Sequence, residues 1–450
     1  MPAAPPSPGK PRPGTACGGA AADGRSALWW LDPRPGRTGT VTGMTATALG
    51  RDFRLLWSAA VSSRFGDALR TPALALLAAT VTRDPRIIAA VTVAGQVPPL
   101  LFGLLGGVYA DRWDRRRTMA VVDGVRAGVV AALAVVVALN RVSVPVLLVA
   151  AFLLAALGTL FDSASFALLP AVVPPDALPR ANGRLQAGSA VAGGFLGAPA
   201  AGVLFAVAPA LPFALDAVTF AVAAVLVLAL APAPRSRVRR RRGSVWSEIV
   251  EGLRWLRAHR TLWRLTLLTA ASNLAISGIM AVLVLYALDV LRVPPAGYGL
   301  FAAAAIFGGL AGALGSGRLA ARLGTVPALR VVLAGQTMAL TGFALARHPV
   351  PGGIALAVFA AGTVVWNSLW ASYGQRQVPG ELLGRVGAAQ RMVGLLTAPL
   401  GAALAGLAAA AYGTVPVAGA AAGTFALVTL TAWRTLRSAA PGVLSRSGVA

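Results

Sequence analysis

The chain has 450 residues, of which 57% are hydrophobic and only 12% charged, and its formal net charge is +25. Soluble domains carry about 25% charged residues, and here the arginines gather in short stretches between long apolar runs. An ordinary soluble domain and a nucleic-acid binder are therefore excluded. The pattern predicts an all-α integral membrane protein whose basic excess reports orientation.

Rare residues exclude more. Lys10 is the sole lysine and is followed by Pro11 in a Pro-rich tail. A P-loop needs its lysine inside G-x-x-x-x-G-K-[ST], so ATP hydrolysis by that route is excluded. His259 and His348 fall in expected loops, and Cys17 is the single cysteine, so no intrachain disulfide, metal site or cofactor is expected. No nucleophile-plus-base constellation stands out, and an enzyme is not expected.

Residues 1–43 are rich in Pro, Gly, Ala and Arg and read as a disordered tail, with Met44 as an alternative start. Twelve apolar segments follow, at roughly 55–80, 87–109, 118–139, 143–165, 185–208, 212–233, 265–288, 299–317, 326–345, 352–372, 390–411 and 415–434. Each is long enough for a hydrocarbon core of about 30 Å. The first is unusual. "SSRFGDALRTPA" at 62–73 places Arg64, Asp67 and Arg70 three residues apart in an apolar helix, where i and i+3 are neighbours.

The basic stretch 234–262 divides the segments six and six, giving a half at 44–233, a linker, a second half at 263–436 and a tail at 437–450. In the linker, Trp246, Ile249, Val250, Leu253 and Leu256 share one helical face after a candidate N-cap at Ser244. This helix either lies on the membrane surface or packs on the bundle. Arginine-rich loops alternate with arginine-poor ones, which predicts both termini and the linker in the cytoplasm of a plasma-membrane protein.

The halves repeat each other. Val173, Pro174, Asp176, Leu178 and Arg180 align with Val378, Pro379, Glu381, Leu383 and Arg385. Gly107 and Arg112 align with Gly317 and Arg322, although Ala321 stands where the first copy has Asp111. Gly194, Ala198 and Pro199 recur as Gly394, Ala398 and Pro399. Three matches in the same order predict two six-helix pseudo-repeats.

The stretch "GGVYADRWDRRRTM" resembles the signature loop of the major facilitator superfamily, roughly G-x-x-x-D-R-x-G-R-R. Gly107, Asp111, Arg112, Arg115 and Arg116 match, and Asp114 replaces a glycine. "FRLLW", "GDAL", "VPPDALPRAN", "FALDAVTF" and "VPGELLGRV" resemble the branch holding macrolide-efflux and siderophore-export proteins, and the resemblance covers about 44–436. It implies the twelve-helix major facilitator fold and a loop whose Asp111 and arginines latch the halves on the cytoplasmic side. "GGFLGAPAAG" at 193–202 resembles the family's antiporter motif through Gly194, Pro199 and Gly202, with Ala198 in place of a glycine. It reads either as an export hinge or as close packing of small residues.

Intramembrane charges are costly and should face the bundle interior or a wet cavity. Asp67, with Arg64 and Arg70, reads either as a proton or substrate site or as a structural pair. Asp162 is a further candidate, whereas Asp123 with Arg126, and Asp216, read as structural. Trp366 and Asn367 are candidates for a substrate cavity, and Trp370 and Tyr373 read as an interfacial aromatic belt. The resemblance implies proton-coupled export of hydrophobic or amphipathic small molecules by a monomer in a lipid bilayer. A siderophore or self-made metabolite is the alternative cargo, and a non-transporting scaffold or sensor the alternative class.

Overall fold

The computed structural model describes residues 50–110, 114–174, 177–231, 245–379 and 382–438. The N-terminal tail with Met44, the loop residues Asp111 and Arg112, and the C-terminal tail lie outside the described residues.

Helices α1 (Arg51–Val81), α2 (Pro85–Ala110), α3 (Arg115–Ala138) and α4 (Val144–Val172) form the first four spans. The fifth is composite: α5 (Leu178–Ala190) passes through a π-helical turn, Val191–Gly197, into α6 (Ala198–Val207). α7 (Leu211–Leu228) completes the first half, and α8 (Val245–Ala258) is the linker helix. The second half holds α9 (Arg260–Leu285, extended by a π turn to Val290), α10 (Tyr298–Leu323), α11 (Thr325–Leu345), α12 (Pro349–Gln377), α13 (Leu383–Tyr412) and α14 (Thr414–Ser438).

Eleven spans are long and apolar enough to cross a membrane among the described residues. The twelfth, α1, carries six charged side chains over its 31 residues. It is held inside the bundle, with Leu56, Leu69 and Ala73 fully buried. Two spans run further than their apolar runs suggest. α4 continues to Val172 and α12 to Gln377, each stopping just before a proline, Pro174 or Pro379. A residue preceding proline is pushed out of the helical region, so the repeated "VP" sets both ends. The third repeat match is looser: Pro399 sits more than a turn further from the end of its helix than Pro199 does, and α13 lacks the π turn.

Asp114 explains its departure from the loop pattern, since its carboxylate caps α3 by accepting from the Arg117 N–H at 3.2 Å. The linker helix packs on the bundle. Ile249 and Leu256 are buried, and Leu256 clusters with Leu262, Val378 and Val386. Gly252 lies against the Arg385 carbonyl, and Glu251 pairs with Arg385 at 2.5 Å, which fastens α8 to the start of α13.

The two halves meet unevenly. At the arginine-poor end one apolar core runs through both, joining Leu76, Ile88 and Val91 with Ile279, Leu283, Phe301 and Phe425. At the arginine-rich end each half has its own core, one around Phe53, Met119 and Leu168 and the other around Leu265, Leu329 and Trp366. The bundle is thus closed at the arginine-poor end.

Candidate functional site

The closed end is sealed by small residues. On α6, Gly202 faces the Ala296 carbonyl and the Gly299 N–H, and Gly299 in turn faces the Ala198 and Pro199 carbonyls. About two turns deeper, Gly194 packs on Ile306 of α10. Gly194, Pro199 and Gly202, singled out in the sequence, therefore lie along the seam between the halves. The opposite seam pairs α13 with α2, where Gly406 meets Ala89 and the Pro85 carbonyl. Arg83 and Asp289 bridge the halves across this end at 2.9 Å.

Below the seal lies a cavity of about 450 Å³, lined from both halves by Arg70, Thr71, Thr92, Met280 and Tyr298 among mostly apolar neighbours. Among the described residues Arg70 is the one charged side chain in that lining, and it leads into an ion network inside the first half. Its guanidinium reaches Asp67 at 2.6 Å and Asp216 at 3.2 Å. Asp67 also meets Arg126 at 2.5 Å, and Arg126 meets Asp123 at 3.3 Å and the Ser63 hydroxyl at 3.2 Å. Arg64 extends the network outward, to Asp162 at 2.6 Å and Asp67 at 4.0 Å.

The network runs from wet to dry. The side chains of Arg64 and Asp162 are 47% and 53% exposed, those of Asp67 and Arg70 are 21% and 12%, and Asp123 and Asp216 are fully buried. Arg126 is packed with its guanidinium 3.9 Å from the Phe220 ring centroid, a desolvated cation–π contact. Two buried carboxylate oxygens, Asp123 Oδ2 and Asp216 Oδ1, have no hydrogen-bond partner among the described residues.

Gly66 makes the network possible. A Cβ there would collide with the Asp216 carboxylate and the Thr219 hydroxyl, so only glycine lets α7 bring Asp216 up to Arg70. Gly66→Val is expected to cost about 1–3 kcal/mol through overpacking. Thermal unfolding in detergent checks this, and an unchanged melting temperature would show that α7 yields freely.

Sequence reasoning found Arg64, Asp67, Arg70 and Asp162, and the structure brings all four together. It also brings in Asp123, Arg126 and Asp216, which read as separate structural residues from the sequence. Their signal was present: Arg126 lies about three turns into α3, deep enough to reach Asp67. Trp366 and Asn367 are elsewhere. Trp366 is buried in the second half's own core, in a stacked row with Trp370 and Tyr373. Trp366 and Asn367 together border a small cleft with Asn273, Gln336 and Thr363. In the signature loop, Gly107 lies near the end of α2 and Arg115 opens α3. Arg116 donates to the Val227 and Leu228 carbonyls, capping the C-terminus of α7 within its own half.

The Major Facilitator Superfamily model matches residues 56–402. The chain belongs to the major facilitator superfamily. It is accordingly a multi-pass membrane protein of a family of transporters. Over 150 residues it is 34% identical to uncharacterized MFS-type transporters of Mycobacterium bovis and Mycobacterium tuberculosis. That match takes in 33% of this chain and spans about a third of the length of those relatives, 34%.

Solved transporter structures share the fold. The nucleoside transporter NupG superposes with a TM-score of 0.67 at 13% identity, over 86% of this chain and 100% of that one. A bacterial homologue of the iron transporter ferroportin, in an inward-facing state, gives 0.69 at 15% identity over 86% and 98%. Within the superfamily fold, the charged network of this chain sits wholly in the first six-helix half.

Proposed function

We propose that this transporter exports hydrophobic or amphipathic small molecules in exchange for protons. It would act as a monomer in the plasma membrane, with both termini cytoplasmic. Charge balance in the network carries the reading. Three arginines, Arg64, Arg70 and Arg126, stand against four aspartates, Asp67, Asp123, Asp162 and Asp216. One added proton makes the set neutral. The unpartnered oxygens of Asp123 and Asp216 are places to hold it.

The network touches the cavity through Arg70, so cargo in the cavity and a proton in the network act on the same side chain. Rocking of the halves around such a site is the general route to alternating access. The mostly apolar lining suits a hydrophobic or amphipathic cargo, in keeping with the resemblance to macrolide-efflux and siderophore-export proteins.

The test uses inside-out vesicles, an imposed proton gradient, and fluorescent hydrophobic cations and macrolides as cargo. Wild type is expected to accumulate at least one probe. Asp67→Asn leaves three arginines facing three aspartates, so the network is balanced without a proton. That variant is expected to lose accumulation while still letting the probe equilibrate. Accumulation at the wild-type level by Asp67→Asn would overturn proton coupling through this network.

A further inference from the structure

A second cavity lies apart from the transport path. It is a groove of about 580 Å³ between α1 and α5, lined by Trp57 and Val61 on one side and by Gly188, Val191 and Leu196 on the other. Gly188 lets α5 lie close to α1 beside the groove, because a Cβ there would stand 2.8 Å from the Trp57 indole nitrogen and 2.6 Å from Val61. The indole N–H donates to the Arg184 carbonyl at 2.9 Å, which fixes the ring as the wall of the groove.

The groove opens to the bilayer. Val191 and Leu196 are 51% and 56% exposed, and the exposed row continues through Val203 to Val207 at the end where the two halves are sealed together. There the exposed side of α6 can face only lipid. The π turn keeps Val191 and Leu196 on that row.

The two ends of the groove differ. At the arginine-rich end stand Arg54 and Arg184, and among the described residues no acidic side chain lines any part of it. From Arg184 to Leu196 the apolar part runs roughly 15–18 Å at the helical rise. That length and that charge match one acyl chain beneath an anionic headgroup, at the leaflet where arginines meet acidic lipid.

We propose that this groove is a binding site for one anionic phospholipid, with its phosphate between Arg54 and Arg184 and an acyl chain along Val61, Val191 and Leu196. Because α5 continues into the seam at Gly194 and Gly202, an occupied groove braces the half-interface from the membrane side.

The full-length protein is placed in nanodiscs of equal phosphatidylglycerol and phosphatidylcholine, and lipid retained on release is identified by native mass spectrometry. Wild type is expected to retain phosphatidylglycerol in several-fold preference. Arg54→Gln with Arg184→Gln is expected to abolish the preference, and Ala187→Trp, which fills the groove from an exposed position, to remove the retained lipid. Arg180→Gln, an exposed arginine on the same helix outside the groove, is expected to keep wild-type retention. No preference in wild type, or a preference that survives the double variant or falls equally in Arg180→Gln, would overturn the site.

Discussion

Replacing Arg126 with leucine is expected to destabilise the first half by roughly 3–5 kcal/mol, the cost of leaving buried charge without its partner. Arg126 lies between Asp67 and Asp123 and under Phe220, and its side chain is almost wholly enclosed. Leucine fills much of the space but leaves Asp123 fully buried with no cation beside it. The paired change Arg126→Gln with Asp123→Asn removes one charge of each sign and keeps hydrogen-bonding groups in place. It is expected to recover most of the lost stability. Thermal unfolding of the purified variants decides the matter. If the single variant melts with wild type, the buried pair is not what holds α1, α3 and α7 together.

Gly202→Leu is expected to change which face of the transporter is open. At Gly202 the neighbours are main-chain atoms, the Ala296 carbonyl and the Gly299 N–H at 2.6 and 2.9 Å from an added Cβ. Backbone cannot rotate aside as a side chain does, so the closed seam must part. Overpacking costs about 1–3 kcal/mol, which shifts a two-state equilibrium by about 5–150-fold. Transport should fall steeply, because closure at this end is half of the cycle.

Spin labels at Asn140→Cys and Arg347→Cys, with Cys17→Ser, report the separation of the halves at that end. A longer distance in Gly202→Leu is expected, and a distribution identical to wild type would remove the seam from the mechanism. Arg83→Ala is a useful contrast. Its bridge to Asp289 crosses the same gap, but both side chains are more than half exposed, so less than about 1 kcal/mol is at stake.

Much of the architecture was legible because apolar length and arginine placement are strong, local signals. The spans, the linker helix and the six-plus-six arrangement could each be read from runs of residues. The network was only half legible. Asp67 with its two arginines is visible as a three-residue spacing, but Arg126 and Asp216 join it from helices that sequence order does not make neighbours. No spacing rule links position 66 to position 216 either, yet Gly66 decides whether that contact forms. Trp366 was legible in part: an aromatic beside an asparagine suggested a cavity wall, and the ring borders a small cleft with Asn367 while also packing in the second half's core. In the signature loop, capping of α7 by Arg116 depends on where α7 ends, which the loop itself does not encode.

Under the proposed proton exchange, the odd carboxylate has an electrical consequence. A network that gains one proton facing one side and loses it facing the other carries one elementary charge per cycle. If the cargo is neutral, that charge crosses the membrane uncompensated, and the membrane potential contributes about 2.3 kcal/mol per 100 mV to each turnover. If the cargo is a monovalent cation leaving as the proton enters, the two movements cancel and the voltage drops out. Collapsing the potential with valinomycin and potassium, while the pH difference is held, would therefore reveal the charge of the cargo before its identity is known.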